Sequence, residues 1–186
     1  FAPMMHKAMK HAATVRKQLG FRTIFNVLGP LTNPANAESQ VLGVFASKWV
    51  QPLAEVLKGL GCNHAMVVHG SDGLDEITLT GKSQISELKN DVISNFVFDP
   101  EKLGFKYCTV QDLKGGTPEE NAAMIQEILN GARGPRRDIV VLNSAAAIYV
   151  AGKADSLEMG IQYAVNSIES GKAREKLEDL CRITHS

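Results

Sequence analysis

The sequence predicts an α/β fold: a mixed, largely parallel sheet flanked by helices, with an N-terminal helical segment that belongs to a separate helical lobe. Three observations carry this expectation. Val41-Leu42-Gly43-Val44-Phe45 and Ala65-Met66-Val67-Val68 are apolar runs of strand length, and the stretch between them is helical in pattern. Strand, helix and strand with short links make a βαβ unit, which pairs its strands in parallel. Residues 83–88 and 92–98 alternate on either side of Lys89-Asn90-Asp91, which is the pattern of an antiparallel hairpin. The C-terminal third repeats helix start and stop signals. Residues 1–34 are assigned to the helical lobe and hinge, and residues 35–186 to the α/β domain.

In order along the chain, residues 4–19 read as a helix, with Pro3 ahead of it and Gly20 behind. Met5, Met9, Ala12 and Arg16 share one face. Arg16 therefore stands on an apolar stripe. Its stem can cover the core while its head reaches water, or its guanidinium can take a carboxylate by bidentate pairing. Residues 22–34 hold a short apolar run and two turn dipeptides, Gly29-Pro30 and Asn33-Pro34, which make a stiff loop. Ser47 is the expected cap of a helix that runs to about Leu57.

The apolar run Ala65–Val68 breaks into His69-Gly70-Ser71-Asp72-Gly73-Leu74-Asp75-Glu76. Open α/β sheets place ligands at such strand ends. Adjacent carboxylates at Asp75 and Glu76 repel each other unless a positive charge joins them. Magnesium suits the place if a substrate brings its own phosphates; the plain alternative is a solvated acidic turn.

Further on, residues 99–116 are loop-rich. Thr117-Pro118-Glu119-Glu120 is a capping box with proline at the first helical position. Asp138 is expected to cap an apolar helix over 139–151, and Asp155 with Glu158 to open another that ends at Gly171. Residues 172–182 form a last amphipathic helix. Arg136-Arg137 reads as a solvated surface doublet.

Composition narrows the function classes. The 186 residues are 44% hydrophobic and 22% charged, with 20 Lys+Arg balanced by 20 Asp+Glu. No overall charge steers the surface toward nucleic acid or an anionic membrane. The longest apolar-rich run, 139–151, is too short to span a bilayer. Cys62, Cys108 and Cys181 are odd in number and widely spaced, which argues against a disulfide framework and for a reducing, cytoplasmic compartment. Cys62 and His64 lack a second ligand pair, so a packed thiol is expected there and not zinc.

The residues His6-Lys7-Ala8-Met9-Lys10, Val15-Arg16, Arg22-Thr23-Ile24-Phe25-Asn26, Leu28-Gly29-Pro30-Leu31-Thr32-Asn33-Pro34, Val68-His69-Gly70, Gly73-Leu74-Asp75-Glu76 and Gly115-Gly116-Thr117-Pro118-Glu119-Glu120-Asn121 together resemble the C-terminal portion of the anthranilate phosphoribosyltransferase family. The resemblance implies transfer of phosphoribose from phosphoribosyl pyrophosphate to anthranilate, with release of pyrophosphate, in tryptophan biosynthesis. It implies Mg²⁺, held with pyrophosphate by Asp75 and Glu76. It also implies anthranilate binding by Arg16, with His6 and Pro30 lining the channel. A homodimer is expected of the full-length enzyme.

Two departures stand out. Lys7 occupies a position where the family usually has proline. The family's glycine-rich phosphate loop has no counterpart in these 186 residues, so the chain reads as a fragment that is inactive alone. A pyrimidine nucleoside phosphorylase-like enzyme, or a non-catalytic binding domain of the same fold, is the alternative.

Overall fold

A computed structural model describes residues 18, 20, 23, 25–33 and 37–184. Of the helix expected over 4–19 only Gln18 is among the described residues, and it is helical; His6, Lys7 and Arg16 lie outside them. The first described element is helix α1, Phe25–Leu31, and it contains Pro30. The Gly29-Pro30 pair expected as a turn is therefore helical. Pro30 lies past the first turn, where proline is ordinarily accommodated, and has no N–H to donate to the carbonyl four residues earlier. Thr32 closes the element, with both its N–H and its hydroxyl donating to the Leu28 carbonyl at 3.0 and 2.9 Å.

Strand β1, Ser39–Gly43, leads through a 3₁₀ turn, Ser47–Trp49, into helix α2, Val50–Gly59. Ser47 is inside the turn and does not cap the helix; neither Ala46 nor Trp49 supplies a side-chain cap. Strand β2, His64–Gly70, then pairs in parallel with β1, Gly43 opposite Val68. Strands β3, Ser83–Lys89, and β4, Val92–Phe98, form the expected hairpin. Its two-residue turn is Asn90-Asp91, both at positive φ (50° and 63°). That conformation matches the twist of the flanking strands, and Asn and Asp tolerate it best after glycine. The sheet order is β1-β2-β3-β4. The sheet is mixed, but among the described residues only β1–β2 is parallel, because β3 returns antiparallel to β2. The largely parallel balance expected from the βαβ unit is not found there.

The C-terminal part comprises α3, Val110–Leu113; α4, Pro118–Leu129; α5, Pro135–Val150; α6, Leu157–Glu169; and α7, Lys172–Thr184. The capping box at Thr117 forms as read: its hydroxyl accepts from the Glu120 N–H while the Glu120 carboxylate accepts from the Thr117 N–H. Two starts differ. Helix α5 begins a turn earlier than expected, at Gly134-Pro135, because proline is pre-set for a first helical position. Asp138 thus lies within its first turn. Helix α6 is capped by Ser156, whose hydroxyl accepts from the Met159 N–H, and not by Asp155.

The sheet is covered on both faces. Ala65 and Val67 of β2 point with Leu42 and Leu88 toward Leu53, Ala54 and Leu57 of α2. Met66 and Val68 point the other way, with Ile77, Leu79 and Ile85, toward Leu142 and Ala146 of α5. Such two-sided burial explains why β2 reads as a continuous apolar run without alternation. A third cluster, Val141, Ala164 and Ile168, joins α5 to α6. Gly160 makes that joint close: a Cβ there would sit 2.6 Å from the Ala145 carbonyl oxygen.

Candidate active site

The C-terminal ends of β1 and β2, at Gly43 and Gly70, open onto the acidic loop. The Asp72 carboxylate organises that loop from within. One of its oxygens accepts from the Leu74 N–H at 3.1 Å; the other accepts from the Thr78 and Thr80 hydroxyls at 2.6 and 2.5 Å. Partial burial alone would raise Asp72, but these hydrogen bonds to its ionised form outweigh it and hold the carboxyl below its ordinary value. Asp72 is therefore spent on shaping the loop.

Two glycines admit the loop at close range. A Cβ on Gly43 would fall 1.6 Å from the Asp75 carbonyl oxygen, and one on Gly70 would fall 2.5 Å from an Asp72 carboxylate oxygen. No side chain fits at Gly43 without moving the acidic pair. Beyond the pair, Ile77 is fully buried, and Asn143 of α5 meets its backbone: Asn143 Oδ1 accepts from the Ile77 N–H at 3.0 Å and Nδ2 donates to the Ile77 carbonyl at 2.9 Å. His69 Nδ1 donates to the Val44 carbonyl at 2.7 Å, which ties the end of β2 to the chain just past β1.

Asp75 and Glu76 both reach solvent, Glu76 being partly enclosed, and they line a cleft of about 470 Å³ with Gly43, Asn143 and Ser144. Burial raises the Glu76 carboxyl above its ordinary value, and the charges of Asp75 and Asp72 add to the effect. Among the described residues no lysine or arginine pairs with either member of the couple. The described residues hold no group of three or more His, Cys, Asp or Glu side chains able to enclose a metal. A cation here would have two carboxylates from the protein and need its other oxygens from water and a ligand. That is how Mg²⁺ is commonly held beside phosphates, so the donor set fits the ion.

Larger clefts of about 620 and 520 Å³ flank the β3–β4 hairpin. The smaller one at the strand ends is the better candidate, because it joins carboxylates that have no cation partner among the described residues to the mouth of the sheet. Pro30 does not share it. It lines a separate hollow of about 280 Å³ with Leu31, Glu38 and Cys62. The motif pointed to the acidic pair but not to its supports. Asn143 had one visible signal, a polar residue inside an apolar helical run. Gly43 and the two threonines had none.

The chain resembles known proteins over its whole length. A protein of Petrotoga mobilis named anthranilate phosphoribosyltransferase is 52% identical over 185 residues, which is 100% of this chain and 54% of the relative. The chain thus spans about half the length of the relatives it matches. The crystal structure of anthranilate phosphoribosyltransferase from Thermus thermophilus superposes with a TM-score of 0.89 at 43% identity, over 97% of this chain and 54% of that one. The Saccharomyces cerevisiae enzyme in complex with PRPP and Mg superposes with a TM-score of 0.82 at 29% identity, over 93% of this chain and 50% of that one. Residues 1–174 match the model of one family. With the mixed sheet and the flanking helices in agreement, the chain belongs to the glycosyl transferase family, a/b domain.

Proposed function

We propose that this chain is the C-terminal portion of an anthranilate phosphoribosyltransferase, with residues 1–34 contributing to a helical lobe and residues 35–186 forming most of the α/β domain. The whole enzyme transfers phosphoribose from phosphoribosyl pyrophosphate to the amino group of anthranilate and releases pyrophosphate. Its full-length form is a cytoplasmic homodimer. The observation that carries the reading is the pair Asp75 and Glu76, set at the sheet mouth with no protein cation beside it among the described residues. The relatives' names and the PRPP and Mg of the yeast structure support it.

Anthranilate's amine attacks without a strong base, so the reaction depends on alignment and on stabilising the departing pyrophosphate. Asp75 and Glu76 would hold Mg²⁺, which when bound would supply positive charge to the departing pyrophosphate. Asp72 keeps the loop in shape without joining them. Arg16 pairs with the anthranilate carboxylate, and His6 and Pro30 border its path.

Titration of the chain with Mn²⁺ and inorganic pyrophosphate tests the metal half of this reading. Metal-dependent pyrophosphate binding is expected, and D75N/E76Q should abolish it. In the complete enzyme, Arg16→Ala should raise the KM for anthranilate. One charge-assisted contact is worth about 1.5–3 kcal/mol, which is on the order of ten- to a hundredfold. An unchanged KM would remove Arg16 from the site. Turnover of thymidine with phosphate, in place of anthranilate with phosphoribosyl pyrophosphate, would transfer the chain to the nucleoside phosphorylases.

A further inference from the structure

We infer that Asn143 is a positioning residue for the acidic pair: its amide sets the peptide plane from which Glu76 projects. The inference rests on the reading of Asp75 and Glu76 as metal ligands and adds a residue that acts through them. Ile77 directly follows Glu76 and has no strand neighbour; it lies between β2 and β3. Its N–H belongs to the peptide plane that begins at the Glu76 carbonyl. The bond of 3.0 Å from that N–H to Asn143 Oδ1 therefore fixes the backbone torsion that aims Glu76. Asn143 Nδ2 donates to the Ile77 carbonyl at 2.9 Å, so one amide answers both backbone groups, as a neighbouring strand would.

The amide is itself held. Its second N–H donates to the Ile139 carbonyl one turn earlier in α5, at 3.0 Å. Three of its four hydrogen-bonding positions are thus engaged, which leaves the side chain one orientation. No other residue type of this size supplies a donor and an acceptor in that geometry. Leucine has the shape and neither group; aspartate has the acceptor, loses both donors, and adds a third negative charge beside Glu76. Asn143 also lines the cleft that holds Asp75 and Glu76. Groups that orient metal ligands in this indirect way typically govern affinity by about 10- to 100-fold.

The test compares Mn²⁺ binding in the presence of inorganic pyrophosphate, followed by the electron paramagnetic resonance of free and bound Mn²⁺, in the full chain and three variants. N143L should weaken Mn²⁺ about tenfold or more and alter the bound-state spectrum. Hydrogen exchange at the Ile77 amide should accelerate beyond any global loss of stability. Ile168→Ala, in the cluster between α5 and α6 and away from the loop, should lower thermal stability and leave Mn²⁺ affinity alone. Wild-type Mn²⁺ affinity in N143L would overturn the inference and leave the metal reading standing. An equal loss in I168A would overturn it too, by reducing Asn143 to a general stabiliser. Unchanged binding in D75N/E76Q would instead sink the metal reading, and the inference with it. Should N143L not fold, N143S takes its place under the same criteria.

Discussion

Burial, then the charges of Asp75 and Asp72, push the Glu76 carboxyl up, so ionising it at neutral pH works against the folded state. A group raised on folding contributes stability at low pH, and that contribution is lost as pH rises through its folded value. Glu76→Gln should accordingly raise the melting temperature at pH 7 in the absence of divalent cations. The gain should shrink as pH falls through the raised folded value toward the usual carboxylate range, because the native side chain takes up its proton there. On the proposed metal role it should also shrink on adding Mg²⁺ with pyrophosphate, since binding to the folded pair would stabilise it. Thermal melts at both pH values, with and without the ion, check all three outcomes. Asp72 has the opposite sign. Its lowered carboxyl contributes stability above the usual range and loses it as pH falls through the lowered value. Asp72 and Glu76 lie four positions apart in one loop, yet one is tuned to stay ionised and the other strains against ionising.

Helix α5 connects the core to the site. One of its faces buries Leu142 and Ala146 against the sheet, and Val141 faces α6. Asn143 and Ser144 line the acidic cleft. The position of α5 thus sets how the loop is held, and Gly160 of α6 sets how closely α5 is backed. Gly160→Ala drives a methyl toward the Ala145 carbonyl, and separating packed helices in this way costs about 1–3 kcal/mol. Denaturant unfolding should show that loss. Because the push acts along α5, Mn²⁺–pyrophosphate affinity should fall as well, whereas a loss confined to stability would show that α5 yields without moving Asn143.

Across the molecule the two ends of the sheet have separate tasks. The acidic cleft occupies the C-terminal end of β2. At the N-terminal end of the same strand, His64 Nε2 lies 3.0 Å from Glu87 of β3, and Tyr149 of α5 donates to the same carboxylate oxygen at 2.7 Å. Lys89 donates to the Tyr149 hydroxyl at 3.0 Å. This network ties strand to strand and helix to sheet far from the cleft. Tyr149→Phe should cost about 0.5–1.5 kcal/mol, the usual net value of a hydrogen bond. Metal and pyrophosphate affinity should stay unchanged, as titration calorimetry would register.

Local chemistry was enough to read much of this from the amino acids. Two-sided apolar runs, the Asn90-Asp91 turn, and the Thr117 capping box each rest on neighbours within a few positions, and each stands where the pattern placed it. So does the acidic pair at the end of β2, since a strand end is a local event. The supports of that pair were not legible. Gly43 and Asp75 are 32 positions apart, and Asn143 lies 66 from Ile77; the pairing of β1 with β2 brings the first two together, and the packing of α5 on the sheet the second two. The helix starts that differ were decided locally: Pro135 is pre-set for a first helical position in α5, and Ser156, next to Asp155, supplies the hydroxyl that accepts from the Met159 N–H in α6. What a residue is inclined to do follows from its own structure, and which partner completes it is decided by the fold that delivers distant backbone to within 3.0 Å.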